Sequence, residues 1–212
     1  MSPGRFFCPP TMPLRNRVDP FGELFADPAR GLLMGNRGGR LHDDGRKLTS
    51  RRWTSKQWIC CKLEFNNRHR NVWGAGYSEL FFLDEVTALA AGHRPCFECR
   101  RKDAEAFAAL FSRGPRRARA DSMDEVLHAE RLDGKAKRAH RRMIDSLPDG
   151  AMIALGGDAF AVRGNRLLRW TPSGYGQAVP RPRAIEVAAL TPPSILAVLS
   201  RGYQPLWHPS SG

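Results

Sequence analysis

Residues 81–102, FFLDEVTALAAGHRPCFECRRK, contain the only Cys-x-x-Cys pair of the chain, Cys96 and Cys99. Asp84 can cap a helix N-terminus, and Glu85 follows in the first turn, where a carboxylate favours the helix dipole. Apolar residues then recur at helical spacing, and Gly92 stands where a left-handed C-cap is expected. The stretch predicts a helix, a tight turn that carries two thiolates, and a second helix over residues 100–111.

The composition predicts a packed core in one large or two small domains. The chain has 212 residues, of which 42% are hydrophobic, with 11 Phe and 5 Trp. It has no apolar run long enough to span a membrane, and its Pro- and Arg-rich start lacks the apolar core of a signal peptide. We therefore expect a cytoplasmic protein that has no membrane contact and whose residues 1–20 are flexible.

The chain is strongly basic, with a net charge of +13 and a pI near 10.4. Such a balance favours a polyanionic partner, most often nucleic acid. Basic residues surround the Cys-x-x-Cys pair, and others lie shortly before residues 58–65. The predicted nucleic-acid-binding residues are Arg94, Arg100, Arg101, Lys102, Arg51 and Arg52. Binding through such residues would be steeply salt-dependent.

Two further segments define the expected fold. Residues 58–65, WICCKLEF, alternate as a strand does and place Cys61, Leu63 and Phe65 on one face. Turn residues follow, and a return segment over 70–73 would complete a β-hairpin. A helical pattern over residues 133–147 predicts another helix. From residue 150, short strands separated by Gly turns predict a β-meander, followed by a terminal helix that begins near Pro192.

The cysteines favour a metal site. Five cysteines is an odd number, and a reducing compartment disfavours a disulfide framework. Two Cys at i and i+3 with a preceding Pro form a knuckle that points both sulfurs to one side. Zinc requires four such ligands in a tetrahedron, so this pair is half a site. A redox dithiol is the alternative, although a thioredoxin-like motif would follow a βαβ pattern and not a helix.

Residues 81–101 closely resemble the C-terminal half of the zinc-binding domain of Ada-type DNA methylphosphotriester repair proteins. In that family a short helix ending in Ala-Gly leads to Arg-Pro-Cys-x-x-Cys-Arg, as it does here. The resemblance covers about a tenth of the chain and implies zinc, DNA as the partner, and a role in DNA repair or regulation. It does not extend to the family's transcription-factor or methyltransferase domains.

This chain departs from the Ada pattern at the two upstream ligands, which are cysteines in the family. The corresponding zone holds His69, 27 residues before Cys96, and Cys61 lies further upstream. The predicted zinc ligands are therefore Cys96, Cys99, Cys61 and His69, with Cys60 and His42 as alternatives. The position nearest the family's methyl acceptor is Phe65, so methyl transfer would require Cys60 or Cys61 in its place. A closed structural zinc site is favoured instead.

The sequence predicts an α+β protein. Its N-terminal zinc knuckle would combine a β-hairpin with helices, in an Ada-like region over residues 21–148. A β-rich region over 149–212 would pack on it. The alternative is that the two regions form a single domain. Two other functions stay open. One is a metal-dependent enzyme on nucleic acid or nucleotides that uses His42, Asp43 or Asp44, although no known catalytic motif is present. The other is a zinc-stabilised adaptor.

Overall fold

A computed structural model describes residues 12–68, 71–112 and 114–212. Six short strands form a first sheet in the order β2-β1-β5-β3-β4-β6. They are β1 (Arg17–Val18), β2 (Leu24–Phe25), β3 (Leu33–Asn36), β4 (Ile59–Lys62), β5 (Leu80–Phe82) and β6 (Arg94–Pro95). The β1–β5 and β4–β6 pairs are parallel, and the other pairs are antiparallel.

The C-terminal part is built on a second, fully antiparallel sheet of six strands. A small hairpin of β7 (Leu132–Asp133) and β8 (Ala136–Lys137) precedes it. The sheet strands are β9 (His140–Met143), β10 (Met152–Leu155), β11 (Asp158–Arg163), β12 (Arg166–Thr171), β13 (Gly174–Pro180) and β14 (Glu186–Ala189). Their order is β13-β12-β11-β10-β14-β9, so β10 to β13 form a meander.

Four α-helices pack against these sheets: α1 (Glu85–Ala90), α2 (Arg101–Phe111), α3 (Ala120–Arg131) and α4 (Pro193–Ser200). Two single-turn 3₁₀ helices occupy Ile144–Ser146 and Pro209–Ser211. Each α-helix contributes to one apolar cluster, through Leu89, Phe107, Met123 and Ile195. The predicted α+β class, the C-terminal meander and the terminal helix are confirmed. Within the described ranges, none of the helices has the length and apolarity needed to cross a bilayer.

One local prediction was wrong, and another differs from the structure in its strand partners. The helix expected over 133–147 is instead the β7–β8 hairpin, strand β9 and a 3₁₀ turn. Gly134 has φ +58°, as a tight hairpin turn requires, and β9 pairs with β14 along its whole length. The N-terminal part does contain an antiparallel hairpin, formed by β1 and β2. Residues 71–73, part of the expected return segment, form no strand, and β4 pairs with β3 and β6.

Helix α1 joins the two sheets. Asp84 caps it, because the Asp84 carboxylate accepts the Thr87 N–H at 2.9 Å, as the sequence predicts. The same carboxylate accepts the Tyr175 hydroxyl at 2.8 Å and the His208 N–H at 3.0 Å, both from the C-terminal part. Every residue of α1 is buried. The helix that leads into the Cys-x-x-Cys turn is thus held by contacts from both halves of the chain.

Candidate metal centre

Three cysteine side chains converge beside the first sheet. The sulfur atoms of Cys61, Cys96 and Cys99 all lie within 4.8 Å of one another. Each of these residues is only 7% exposed, and all three share an apolar cluster with Met34 and Phe81. Buried sulfurs at this spacing could bind one metal ion together.

Parallel pairing of β4 with β6 brings the distant cysteines together. The Cys96 N–H donates to the Cys60 carbonyl at 3.0 Å, which places the knuckle alongside β4. Alternate residues of a strand point to opposite faces, so Cys61 shares its face with Leu63 and Phe65, and Cys60 does not. The alternation read from the sequence therefore identified which member of the Cys60–Cys61 pair joins the cluster.

Backbone N–H groups point at two of the sulfurs. The Glu98 N–H donates to Cys96 Sγ, and the Lys62 N–H donates to Cys99 Sγ, each at 3.4 Å. Such donors stabilise a thiolate more than a thiol. Hydrogen bonds from the Cys61 and Cys99 thiols also lower the pKa of Cys96. The pKa of Cys61 is raised, because its thiol hydrogen-bonds to Cys96 and Cys99 and is buried. Three thiolates this close together would repel one another, so without a cation the three thiols cannot all ionise. A bound metal ion would offset that repulsion and replace the protons.

The remaining predicted or alternative ligands do not complete this cluster. His69 lies outside the described residues. Cys60 is fully buried on the other side of β4, where Arg100 Nη1 lies 3.6 Å from its sulfur and burial raises its pKa. His93 was not a predicted ligand, although it lies just before the Cys-x-x-Cys pair. It is fully buried against Trp58 and Phe82, and burial lowers its pKa, so its ring is neutral.

His42 belongs to a structured turn away from the cysteine cluster. Its ring is buried, stacks on Trp73 with 5.0 Å between centroids, and hydrogen-bonds to Ser78 Oγ at 2.6 Å. Asp43 accepts the Lys47 N–H at 2.9 Å within the same turn, and Asp44 pairs with Arg40. These partners account for all three side chains of the alternative enzyme site without a metal or a substrate.

Two of the predicted nucleic-acid-binding arginines have a different role. Arg94 is 1% exposed and forms a bidentate pair with Asp124, at 2.9 and 2.7 Å. Arg100 is 5% exposed and pairs with Glu85 at 2.7 Å. Neither guanidinium can reach a nucleic acid, because a buried cation must be paired and the fold supplies a carboxylate to each. The sequence has no local signal for these pairs, since Asp124 lies 30 residues from Arg94.

The other four predicted basic residues lie nearer the surface. Arg101 is exposed and pairs with Glu105 at 3.2 Å, and Lys102 is exposed at the start of α2. Arg51 is exposed, whereas Arg52 is half-buried and pairs with Glu23. An exposed ion pair such as Arg101–Glu105 contributes little stability, so it holds Arg101 only loosely.

Comparisons with protein-family models, with curated proteins and with solved structures each found no match to this chain. The chemistry of the cluster must therefore be argued from its own geometry. Three buried sulfur donors, two of which accept backbone N–H groups, fit a soft or borderline ion such as zinc.

Proposed function

We propose that this chain is a nucleic-acid-binding protein whose N-terminal half is held together by one structural zinc ion. Cys61, Cys96, Cys99 and His69 would be its ligands. The observation that carries the proposal is the convergence of three buried sulfur atoms within 4.8 Å of one another. Two of these belong to a turn and the third to a strand that is remote in sequence, so a bound ion would cross-link them.

A structural role is favoured over methyl transfer. A thiolate that attacks a DNA phosphotriester must be reachable from the nucleic-acid backbone. Here each cysteine of the cluster is 7% exposed, and Phe65 stands at the position nearest the acceptor of the Ada family. A closed site with thiolate and imidazole ligands is typical of zinc that stabilises a fold. The resemblance to Ada-type domains supports DNA as the partner.

Charge supports the nucleic-acid contact. The net charge of +13 leaves many cations without an acidic partner. Near the knuckle, Lys102 is exposed, and the one ion pair of Arg101 within the described residues is a surface pair with Glu105. Lys and Arg on a surface bind phosphates without reading the bases, and each contact releases counterions. The proposed binding is therefore governed by the nucleic-acid backbone.

Metal analysis of the full chain, purified without chelator, tests the zinc site. We expect about one zinc per chain, and loss of most of it in Cys96→Ser and Cys61→Ser. Cys60→Ala is the matched control, because Cys60 adjoins Cys61 in sequence but lies outside the cluster. Zinc content below about 0.3 per wild-type chain would refute the proposal. His69→Ala tests the fourth ligand, and unchanged zinc affinity in that variant would assign the position to another group.

Filter binding of a duplex DNA fragment tests the partner. We expect measurable affinity at low salt, falling roughly 10-fold or more between 50 and 200 mM salt if several phosphates are contacted. Lys102→Ala and Arg101→Ala should each weaken binding and reduce the salt dependence. An absence of binding to DNA and RNA at low salt would contradict the nucleic-acid contact and favour the adaptor function.

A further inference from the structure

A small cationic pocket lies next to β2 and the loops that flank β3. Its volume is about 210 Å³, and its lining includes four arginines and one carboxylate: Arg15, Arg37, Arg51, Arg52 and Glu23. This volume is below the range of pockets that hold a drug-sized molecule. The pocket therefore fits a single anionic group better than a whole nucleotide.

The arginines of this pocket are only partly neutralised. Arg52 pairs with Glu23, and Arg15 donates to the Leu24 carbonyl at 3.2 Å. Arg51 is exposed and forms no ion pair within the described part of the chain. Several guanidinium donors thus face one cavity that contains a single acidic side chain.

Arg37 adds a fixed charge behind the pocket. Its guanidinium is fully buried, and its hydrogen bonds go to the Gly22 carbonyl at 2.8 Å, the Arg52 carbonyl at 3.5 Å and His93 Nε2 at 3.4 Å. None of these partners is a carboxylate. Burial lowers the pKa of Arg37 to about 9, so the side chain still carries its charge at neutral pH. A buried charge that lacks a carboxylate hydrogen-bond partner is costly, and a nearby anion would offset part of that cost.

A second buried arginine strengthens the positive field. Arg131 and Arg37 each place the guanidinium carbon 4.0 Å from the centroid of the Trp58 ring. Arg131 hydrogen-bonds to the Gly92 carbonyl at 2.9 Å and to the Lys56 carbonyl at 2.6 Å. The acidic group that acts on Arg37 besides Glu23 is Asp19, whose pKa burial raises to about 6. The region behind the pocket is therefore net positive.

We propose that this pocket binds a phosphate group, with Arg15, Arg51 and Arg52 as direct donors and Arg37 as the buried charge behind them. Guanidinium groups match phosphate geometry and bind it through paired N–H donors. The proposal rests on the nucleic-acid contact proposed above and deepens it, because it assigns a place to one backbone phosphate. Strand β3 connects the pocket to the metal centre. Its residue Met34 lies opposite Cys61 of β4, and Arg37 directly follows its last residue.

Fluorescence anisotropy of a labelled single-stranded oligonucleotide, measured against salt, tests the pocket. Arg51→Ala and Arg15→Ala change exposed side chains, and each should weaken binding roughly 3- to 10-fold and lower the salt slope by about 0.7. Glu23→Gln removes the only carboxylate of the pocket and should strengthen binding roughly 2- to 5-fold. Damage to the fold would not strengthen binding, so this variant distinguishes an effect of the pocket's charge from an effect of misfolding. Arg142→Ala, an exposed arginine on β9, is the matched control.

A competition arm with pyrophosphate separates the two sources of phosphate. Displacement of the oligonucleotide by pyrophosphate in the wild type, but not in Arg51→Ala, supports the pocket. Pyrophosphate binding that depends on Arg51, without any oligonucleotide binding, supports a phosphate site and overturns the nucleic-acid contact. Oligonucleotide binding that responds to Arg15, Arg51 and Glu23 no more than to Arg142 overturns the pocket and leaves the nucleic-acid contact standing.

Discussion

Replacing Asp124 by Asn should strongly destabilise the protein, because it leaves Arg94 as an unpaired buried cation. The pair joins helix α3 to strand β6, two residues before Cys96. Its side chains are 2% and 8% exposed, and both hydrogen bonds are short, at 2.9 and 2.7 Å. The Arg94 guanidinium is the more deeply buried of the two charges, so in Asp124→Asn it loses its carboxylate where water cannot replace it.

The expected size of the effect follows from the burial of Arg94. Removing one member of a buried ion pair costs about 3–5 kcal/mol, because the other charge stays desolvated without a partner. For a chain of this length, each kcal/mol lowers Tm by about 2–4 °C, so Asp124→Asn should lower Tm by roughly 6–20 °C. Removing both charges in Arg94→Met/Asp124→Leu should restore most of the loss, since the desolvation cost disappears with the attraction.

Urea unfolding of the wild type, Arg94→Met, Asp124→Leu and the double variant forms a complete thermodynamic cycle, and Asp124→Asn is measured beside it. Asp121→Asn is the control, because Asp121 lies on the same helix in an exposed pair with Arg119 and its loss should leave the midpoint unchanged. A loss below about 1 kcal/mol in Asp124→Asn, or a double variant as unstable as the single ones, would refute this account of the pair.

Two further predictions concern buried acidic groups of the same fold. Burial raises the pKa of Asp19 to about 6, above its value in the unfolded chain, so the folded state loses stability as the pH rises from about 4 to 6. Asp19→Asn should therefore be more stable than the wild type by roughly 1–3 kcal/mol above pH 7 and no more stable below pH 4, in urea unfolding at both pH values; an equal gain at both would contradict the titration. Tyr203→Phe removes a hydroxyl that donates to Glu85 Oε1 at 2.7 Å. We expect a loss of about 1.5–3 kcal/mol, because the bond is to a buried carboxylate, and an unchanged urea midpoint would show that Arg100 and the Leu206 N–H alone satisfy Glu85.

Features that depend on residues close in sequence were predictable. Asp84 caps α1 as its position before an apolar helical pattern indicates, and Gly92 has φ +89°, as a left-handed C-cap requires. Helix α2 covers 101–111, against an expected 100–111. Strand alternation also distinguished Cys61 from Cys60, because the two-residue period of a strand is a local property.

The helix expected over residues 133–147 shows where local patterns mislead. Its apolar spacing suits a helix, but β9 gains a full set of hydrogen bonds from β14, which lies more than forty residues later. Tertiary pairing of this kind overrides helix propensity, which amounts to a few tenths of a kcal/mol per residue. Gly134 was the local signal that favoured a hairpin turn instead, because it is the first of the two residues that connect β7 to β8.

The sequence by itself determined the class of the fold, the knuckle with its two thiols, and the strongly basic character of the chain. Only the tertiary structure decided which charges are available for binding. Arg94 and Arg100 look like surface cations beside the knuckle, yet each is buried against a carboxylate on a helix. Arg37 is buried as well, but within the described residues none of its hydrogen bonds goes to a carboxylate, and it lies behind a pocket that other arginines line. Burial and pairing depend on contacts between distant segments, and so they appear only once the chain is folded.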